Sequence, residues 1–160
     1  MKRAGFTMIE LIFVIVILGI LAAVAIPKLA ATRTDASVSK MASNLATVVS
    51  DMGAYYTSQG TYSGNWPDFT NVRLDTAAGG TTAATGFTAG TAVYLNDGTG
   101  ATKGCFSISA TTDGNVTVTG LSAGTDAVCA GAHTAAIKNN LILTVGNAKV
   151  HEFGGAGVSY

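Results

Sequence analysis

The chain has 160 residues, 48% of them hydrophobic and only 11% charged, and its nine basic side chains balance nine acidic ones. No basic run interleaved with aromatic residues is present, so direct binding of nucleic acid along the chain is not supported. There is no Walker loop, HExxH, G-x-S-x-G or EF-hand loop either, so no catalytic residue, cofactor or metal is expected.

Lys2 and Arg3 make a positive leading segment that is expected to stay cytoplasmic. From Phe6 to Ile26 the chain reads FTMIELIFVIVILGILAAVAI, and Glu10 is the sole ionisable side chain in it. At about 1.5 Å rise per residue, a helix of this run would reach about 32 Å, enough to cross a bilayer. A carboxylate at mid-membrane costs roughly 2.5–3.5 kcal/mol, and less near an end, so Glu10 needs a task or a partner. Ala23-Val24-Ala25 fits the A-x-A cleavage pattern, which leaves open a secreted protein cut after Ala25. Gly19 and Ala23 form a small-x-x-x-small step, with Ala22 and Ala25 nearby. Such a step permits close helix approach, although small residues are also common in membrane helices generally.

Pro27 lacks an N–H and clashes with the preceding turn, which predicts a bend near it and not a full stop. Beyond it, Val38, Met41, Leu45, Val48, Met52 and Tyr55 recur at helical spacing along one face. Ser37, Ser39, Lys40, Ser43, Asn44, Thr47, Ser50 and Asp51 suit the wet face. Gly53 and then Ser58-Gln59-Gly60 end the pattern, giving an amphipathic helix over 28–56. A helix from Phe6 to Tyr56 would be about 75 Å long, too apolar for water in its first half and carrying a docking stripe in its second.

These residues resemble the type IV pilins and the pseudopilins of type II secretion. The match covers Met1 to about Tyr56. The leader MKRAG, residues 1–5, ends in the glycine that prepilin peptidase recognises, and the mature chain would begin at Phe6. Thr7 and Glu10 follow within the first helical turn, Pro27 falls where the family also places a proline, and Gly19 lies where family helices often loosen. The short leader and N-terminal Phe are more similar to the pilin class shared with pseudopilins than to long-leader pilins.

The resemblance implies cleavage between Gly5 and Phe6 and methylation of the new Phe6 α-amine. It also implies a filament in which Glu10 of one subunit pairs with the Phe6 amine of its neighbour. In apolar surroundings such a pair acts mainly to set register. The alternative is that Glu10 compensates the helix N-terminus in its own first turn. Expected partners are copies of the chain and related minor pilins or pseudopilins, prepilin peptidase, and the inner-membrane platform with its assembly ATPase. The expected location is the inner membrane, single-pass, with a cytoplasmic N-terminus and a periplasmic head, and then a periplasmic or cell-surface filament. Residues 6–27 would span the membrane and later form the filament core. Removing Lys2 and Arg3 leaves seven basic against nine acidic side chains (9 − 2 = 7), so the mature chain carries about −2. A membrane-anchored binding domain that never polymerises is the other reading that keeps the anchor.

Residues 57–160 are long enough for one small head domain. Tyr62, Trp66 and Phe69, beside Tyr55 and Tyr56, are expected to pack where head meets helix, with a ligand cage as the lesser alternative. Gly60-Thr61-Tyr62 is similar to a segment of pseudopilins. The Thr-, Ala- and Gly-rich stretch 75–102 reads as a long variable surface loop, with Val93-Tyr94-Leu95 as its strand-like run.

Phe106, Ile108 and Ala110 alternate with serines, Thr112-Asp113-Gly114-Asn115 makes a turn, and Val116 to Thr119 alternates again, predicting a hairpin. A short helix is expected at Ala132 to Asn140. Further strands are expected at Leu141 to Val145, Lys149 to Phe153 and Val158 to Tyr160. The predicted fold is α+β and pilin-like, a long N-terminal helix packed on a small antiparallel sheet.

Cys105 and Cys129 are the only cysteines. In a head facing the periplasm they should form a disulfide, as pilins commonly staple a C-terminal region. A metal site is the rival reading, but no nearby C-x-x-C exists, and His133 and His151 match no zinc pattern. Both histidines are expected at the surface or half-buried. Major pseudopilins bind calcium in a C-terminal loop, whereas the acids here (Asp68, Asp75, Asp97, Asp113 and Asp126) stand singly. Asn115-Val116-Thr117 spells a glycosylation sequon but sits in the expected hairpin.

Overall fold

The computed structural model describes residues 5–97 and 104–155, and the chain divides into two units, Met1–Asp35 and Ala36–Tyr160. Most of the expected leader, the end of the 75–102 loop and the expected strand Val158–Tyr160 lie outside the described residues. One helix, α1 (Met8–Gln59), contributes to both units.

In the first unit α1 is apolar without interruption from Leu11 to Ile26, and its large apolar side chains are exposed. Pro27 lies inside the helix without ending it. Past the proline, the Thr32 hydroxyl donates to the Lys28 carbonyl at 2.9 Å and the Thr34 hydroxyl to the Ala30 carbonyl at 3.3 Å. These are the back-bonds by which hydroxyl residues are tolerated inside helices.

In the second unit the same helix turns one stripe inward. Met41, Leu45, Val48 and Met52 are buried as the periodicity predicts, while Val38 and Tyr55 are half-buried. Ala42, Val49 and Gly53 are buried as well, so the stripe is wider than the expected line of contacts. Gly53 does not terminate the helix. A Cβ there would stand 2.6 Å from the Phe153 ring, so the glycine gives that ring its seat. The helix runs past the expected end at Tyr56 to Gln59, and Gly60, at φ +74°, closes it by donating to the Tyr56 carbonyl at 2.7 Å.

The stripe packs on a four-stranded antiparallel sheet in the order β1 (Val93–Asn96), β2 (Gly104–Ala110), β3 (Asn115–Gly120), β4 (Ala148–Glu152). Phe106 and Ile108 of β2 and Val116 and Val118 of β3 face inward, and the serines and threonines between them face out, following the period of two. The β2–β3 turn is where expected, with Gly114 at φ +87° and the Tyr56 ring so close that any Cβ would collide. This unit is the expected α+β, pilin-like arrangement of helix on antiparallel sheet.

Three sequence expectations for the head need correction. The C-terminal helix α3 spans Ala127–Lys138 and not 132–140, because Asp126 caps it by accepting from the Val128 and Cys129 N–H groups at 2.7 and 3.0 Å. Leu141 to Val145 is not a strand. Asn140 at φ 57° and the Leu141 N–H bond to the Ala136 carbonyl terminate α3, and only an isolated bridge joins Val145 to Gly120. The described part of the 75–102 loop is not simply a surface loop. Asp75 bridges to Ala83 and to Tyr94 of β1, and Asp75, Ala84, Val93 and Leu95 are buried. A one-turn helix, α2 (Trp66–Phe69), carries the two rings that fill the space beside α1.

Tyr62 lies at the centre of that aromatic layer, 5.5 Å from Phe69, 5.3 Å from Tyr56 and 6.1 Å from Phe87. Its hydroxyl donates to the Met52 carbonyl at 2.9 Å. Burial, and secondarily the neighbouring Tyr56, push its phenol pKa far above the ordinary value. Its contribution to stability is therefore complete below about pH 10, the unfolded-chain value, and is lost as pH rises toward the folded-state value. Alkaline titration by absorbance should show Tyr62 ionising only with unfolding. Tyr62→Phe should cost about 1 kcal/mol at neutral pH and flatten the alkaline loss of stability. A phenol that ionises freely in the folded head would contradict this packing.

Candidate functional site

The segment to which the sequence assigns a role begins at Gly5, and its chemistry lies in the first turn of α1. Thr7 stands just before the helix and Glu10 is in the first turn. The Thr7 hydroxyl oxygen accepts from the Glu10 N–H at 3.3 Å, while Glu10 Oε2 accepts from the Thr7 N–H at 3.3 Å and from the Thr7 hydroxyl at 3.2 Å. The Thr7 carbonyl takes the first helical bond, from Leu11 N–H at 3.2 Å. This is a reciprocal capping box. It satisfies two otherwise orphaned donors and sets a negative charge at the positive end of the helix dipole. Within one chain the Glu10 carboxylate is thus turned onto Thr7. The T-x-x-E spacing is legible in the sequence as a capping signal.

From Phe6, which is 85% exposed, to Leu29 the large apolar side chains have no protein cover. Gly19 has open space around it, with no heavy atom within 4 Å of where a Cβ would stand. By length and composition α1 can cross a membrane, since a window within it reaches a mean hydropathy of 3.1.

In the second unit Cys105 of β2 and Cys129 of α3 form the expected disulfide, with Cα atoms 5.0 Å apart and both side chains fully buried. His133, one turn beyond Cys129 on α3, adds a second tie. Its Nε2 lies 2.7 Å from the Cys105 carbonyl, which can only accept, so Nε2 carries the proton and donates. The ring meets Phe106 edge-on at 5.0 Å. His133 is therefore a core residue at 2% exposure and not the surface or half-buried residue expected. His151 is half-buried, its Nε2 2.9 Å from the Leu141 carbonyl. Among the described residues no three His, Cys, Asp or Glu side chains gather to hold a metal.

Residues 1–26 match the family model described as the prokaryotic N-terminal methylation motif. The chain thus carries the N-terminal methylation motif of type IV pilins and pseudopilins, on the residues that suggested it in the sequence, and proteins with this motif are typically non-enzymatic. No curated protein and no solved structure matches the chain.

Two outcomes test this geometry. Thr7→Val removes the hydroxyl from the box and should weaken the helix start by about 1 kcal/mol. Amides of Met8 to Leu11 should then exchange several-fold faster in micelles, with the head unchanged; equal exchange would contradict the cap. Replacing both Cys105 and Cys129 by Ala opens a loop of sequence separation 24 and should cost roughly 2–5 kcal/mol of head stability in denaturant. Unreduced native protein should yield no titratable thiol.

Proposed function

We propose that the chain is a prepilin-type structural subunit that polymerises into a type IV pilus or a type II secretion pseudopilus. Prepilin peptidase cuts between Gly5 and Phe6 and methylates the new Phe6 amine. Before assembly the apolar part of α1 anchors the subunit in the inner membrane, N-terminus cytoplasmic and head periplasmic. During assembly, driven by the platform and its ATPase, lipid around that helix is exchanged for the helices of other subunits. Related minor subunits join the same polymer. Copies joined head to tail by a contact that does not close build an open helical fibre.

The observation that carries this reading is the conjunction of the methylation motif with an uncovered apolar helix bearing one carboxylate at its start. The capping box engages Oε2 of Glu10 and leaves Oε1 without a partner among the described residues, so the carboxylate retains capacity for a neighbour's amine. An α-amine has a reference pKa of about 7.7–8.0 and is largely cationic at neutral pH. Paired in apolar surroundings, the two charges fix the axial register of neighbouring subunits and add little to net stability.

The same box also supports a second reading, an anchored head that never polymerises, in which Glu10 serves only its own helix. A secreted protein cut after Ala25 is the third reading.

Expression with a cognate assembly system separates these readings. Glu10→Val should leave the subunit inserted, processed and folded while filament yield falls at least tenfold. Mass spectrometry of the wild-type mature chain should find N-methylated Phe6 at the N-terminus. Normal filaments from Glu10→Val would favour the anchored head, and a mature N-terminus at Ile26 would establish the secreted form.

A further inference from the structure

The apolar run of α1 is bounded by charge at both ends, with Glu10 at its start and Lys28 just past Pro27. From Leu11 to Pro27 no side chain is ionisable. Beyond Lys28 the next charged residues are Arg33 and Asp35, and all of these belong to the first unit. Lys28 and Asp35 are both exposed, and among the described residues neither side chain has an ion pair or a hydrogen bond.

Their phase on the helix follows from the spacing. At about 3.6 residues per turn, Lys28 stands about five whole turns beyond Glu10, and Asp35 about two turns beyond Lys28. α1 continues through Pro27, so the three charges lie along one line of the helix in the order minus, plus, minus. Arg33 falls on another side. Two turns separate Lys28 from Asp35 by about 10.5 Å, whereas charged pairs within a helix form at three or four residues. Neither can answer the other inside one chain.

The axial spacings also agree. Phe6 and Thr7 precede the helix. Two extended residues at about 3.3 Å each and two helical ones at about 1.5 Å each set the Phe6 nitrogen up to about 10 Å below Glu10. A neighbour raised by that step toward the C-terminal end of α1 brings its Phe6 amine level with Glu10. The same step brings its Lys28 level with Asp35.

We infer that in the polymer Lys28 of one subunit pairs with Asp35 of the adjacent copy, at the step that joins the Phe6 amine to Glu10. This rests on the proposed structural-subunit role and adds a second contact to it, at the far end of the apolar run. A contact that turns Glu10 toward a neighbour turns Lys28 and Asp35 the same way, because they share its line. Two pairs that bracket the run oppose both slip and rotation of one helix against the next, which one pair does not. Each copy offers one Lys28 and one Asp35 to different neighbours, as an open, non-closing contact requires. Both side chains are exposed, so the pair sets register more than it adds stability, and salt weakens it.

The test uses polymers of the full mature chain made with a cognate assembly system. A carbodiimide joins an ammonium to a carboxylate as an amide, itself taking up the water lost, and leaves no spacer. It should give a ladder of linked subunits on a denaturing gel, with a Lys28–Asp35 peptide link found by mass spectrometry in the ladder and not in monomers from micelles. Lys28→Asp or Asp35→Lys alone should lower filament yield at least fivefold, with the chain still inserted and processed. The two exchanges together should restore at least half of the wild-type yield. Wild-type polymers without that link, single variants that assemble normally, or a double exchange that restores nothing would overturn the second pair and leave the subunit role standing. A wild-type chain that forms no polymer at all would overturn both.

Discussion

An α-helix whose apolar side chains are uncovered on every face cannot remain so in water. Removing apolar surface from water is worth about 25 cal/mol per Å², and the large apolar side chains from Phe6 to Leu29 are 41–85% exposed. The apolar run of α1 is long and apolar enough to cross a membrane. A lipid span and a helix bundle make similar demands, namely intrahelical satisfaction of backbone groups and an apolar exterior. The same residues can serve both without refolding. Glu10 is the one ionisable side chain from Phe6 to Ile26, so it is the residue for which apolar surroundings are costly unless it is partnered.

The second unit is built so that it can be carried by such a helix. Its core joins the inward stripe of α1 to the inner faces of β2 and β3, and the Tyr62 aromatic layer and the buried residues of α3 belong to the same cluster. α3 is tied to β2 twice within one turn, through the Cys105–Cys129 disulfide and through the His133 bond to the Cys105 carbonyl. The covalent tie limits the unfolded chain, and the histidine satisfies a buried carbonyl next to it. Close ring-to-backbone seats at Gly53 and Gly114 explain why glycine is needed there.

Much of this was legible from the residues because single-period signals dominate. The alternation in Phe106 to Ala110 and in Val116 to Thr119 reports one buried sheet face, and the steps from Met41 to Met52 report one buried helix face. What was misread depends on side chains that act on neighbouring backbone. Asp126 moved the start of α3, Asn140 stopped the chain before Leu141 could form a strand, and Asn96 organised a Thr- and Gly-rich loop that composition alone renders featureless. His133 looked unremarkable because a lone histidine carries no sign of burial until its carbonyl partner is placed. At the N-terminus the T-x-x-E spacing is a capping signal, and the structure realises it as hydrogen bonds between Thr7 and Glu10.

The central claim is that the uncovered helix is buried by its own copies with Glu10 and the Phe6 amine as mutual partners across the contact. A high-resolution density map of polymers of the mature chain measures this directly. The expected result is a Phe6 nitrogen within about 4 Å of the Glu10 carboxylate of an adjacent subunit, with the apolar run sequestered from water. Polymers in which those two groups stand apart and hydrated, or in which the apolar run faces solvent, would contradict it.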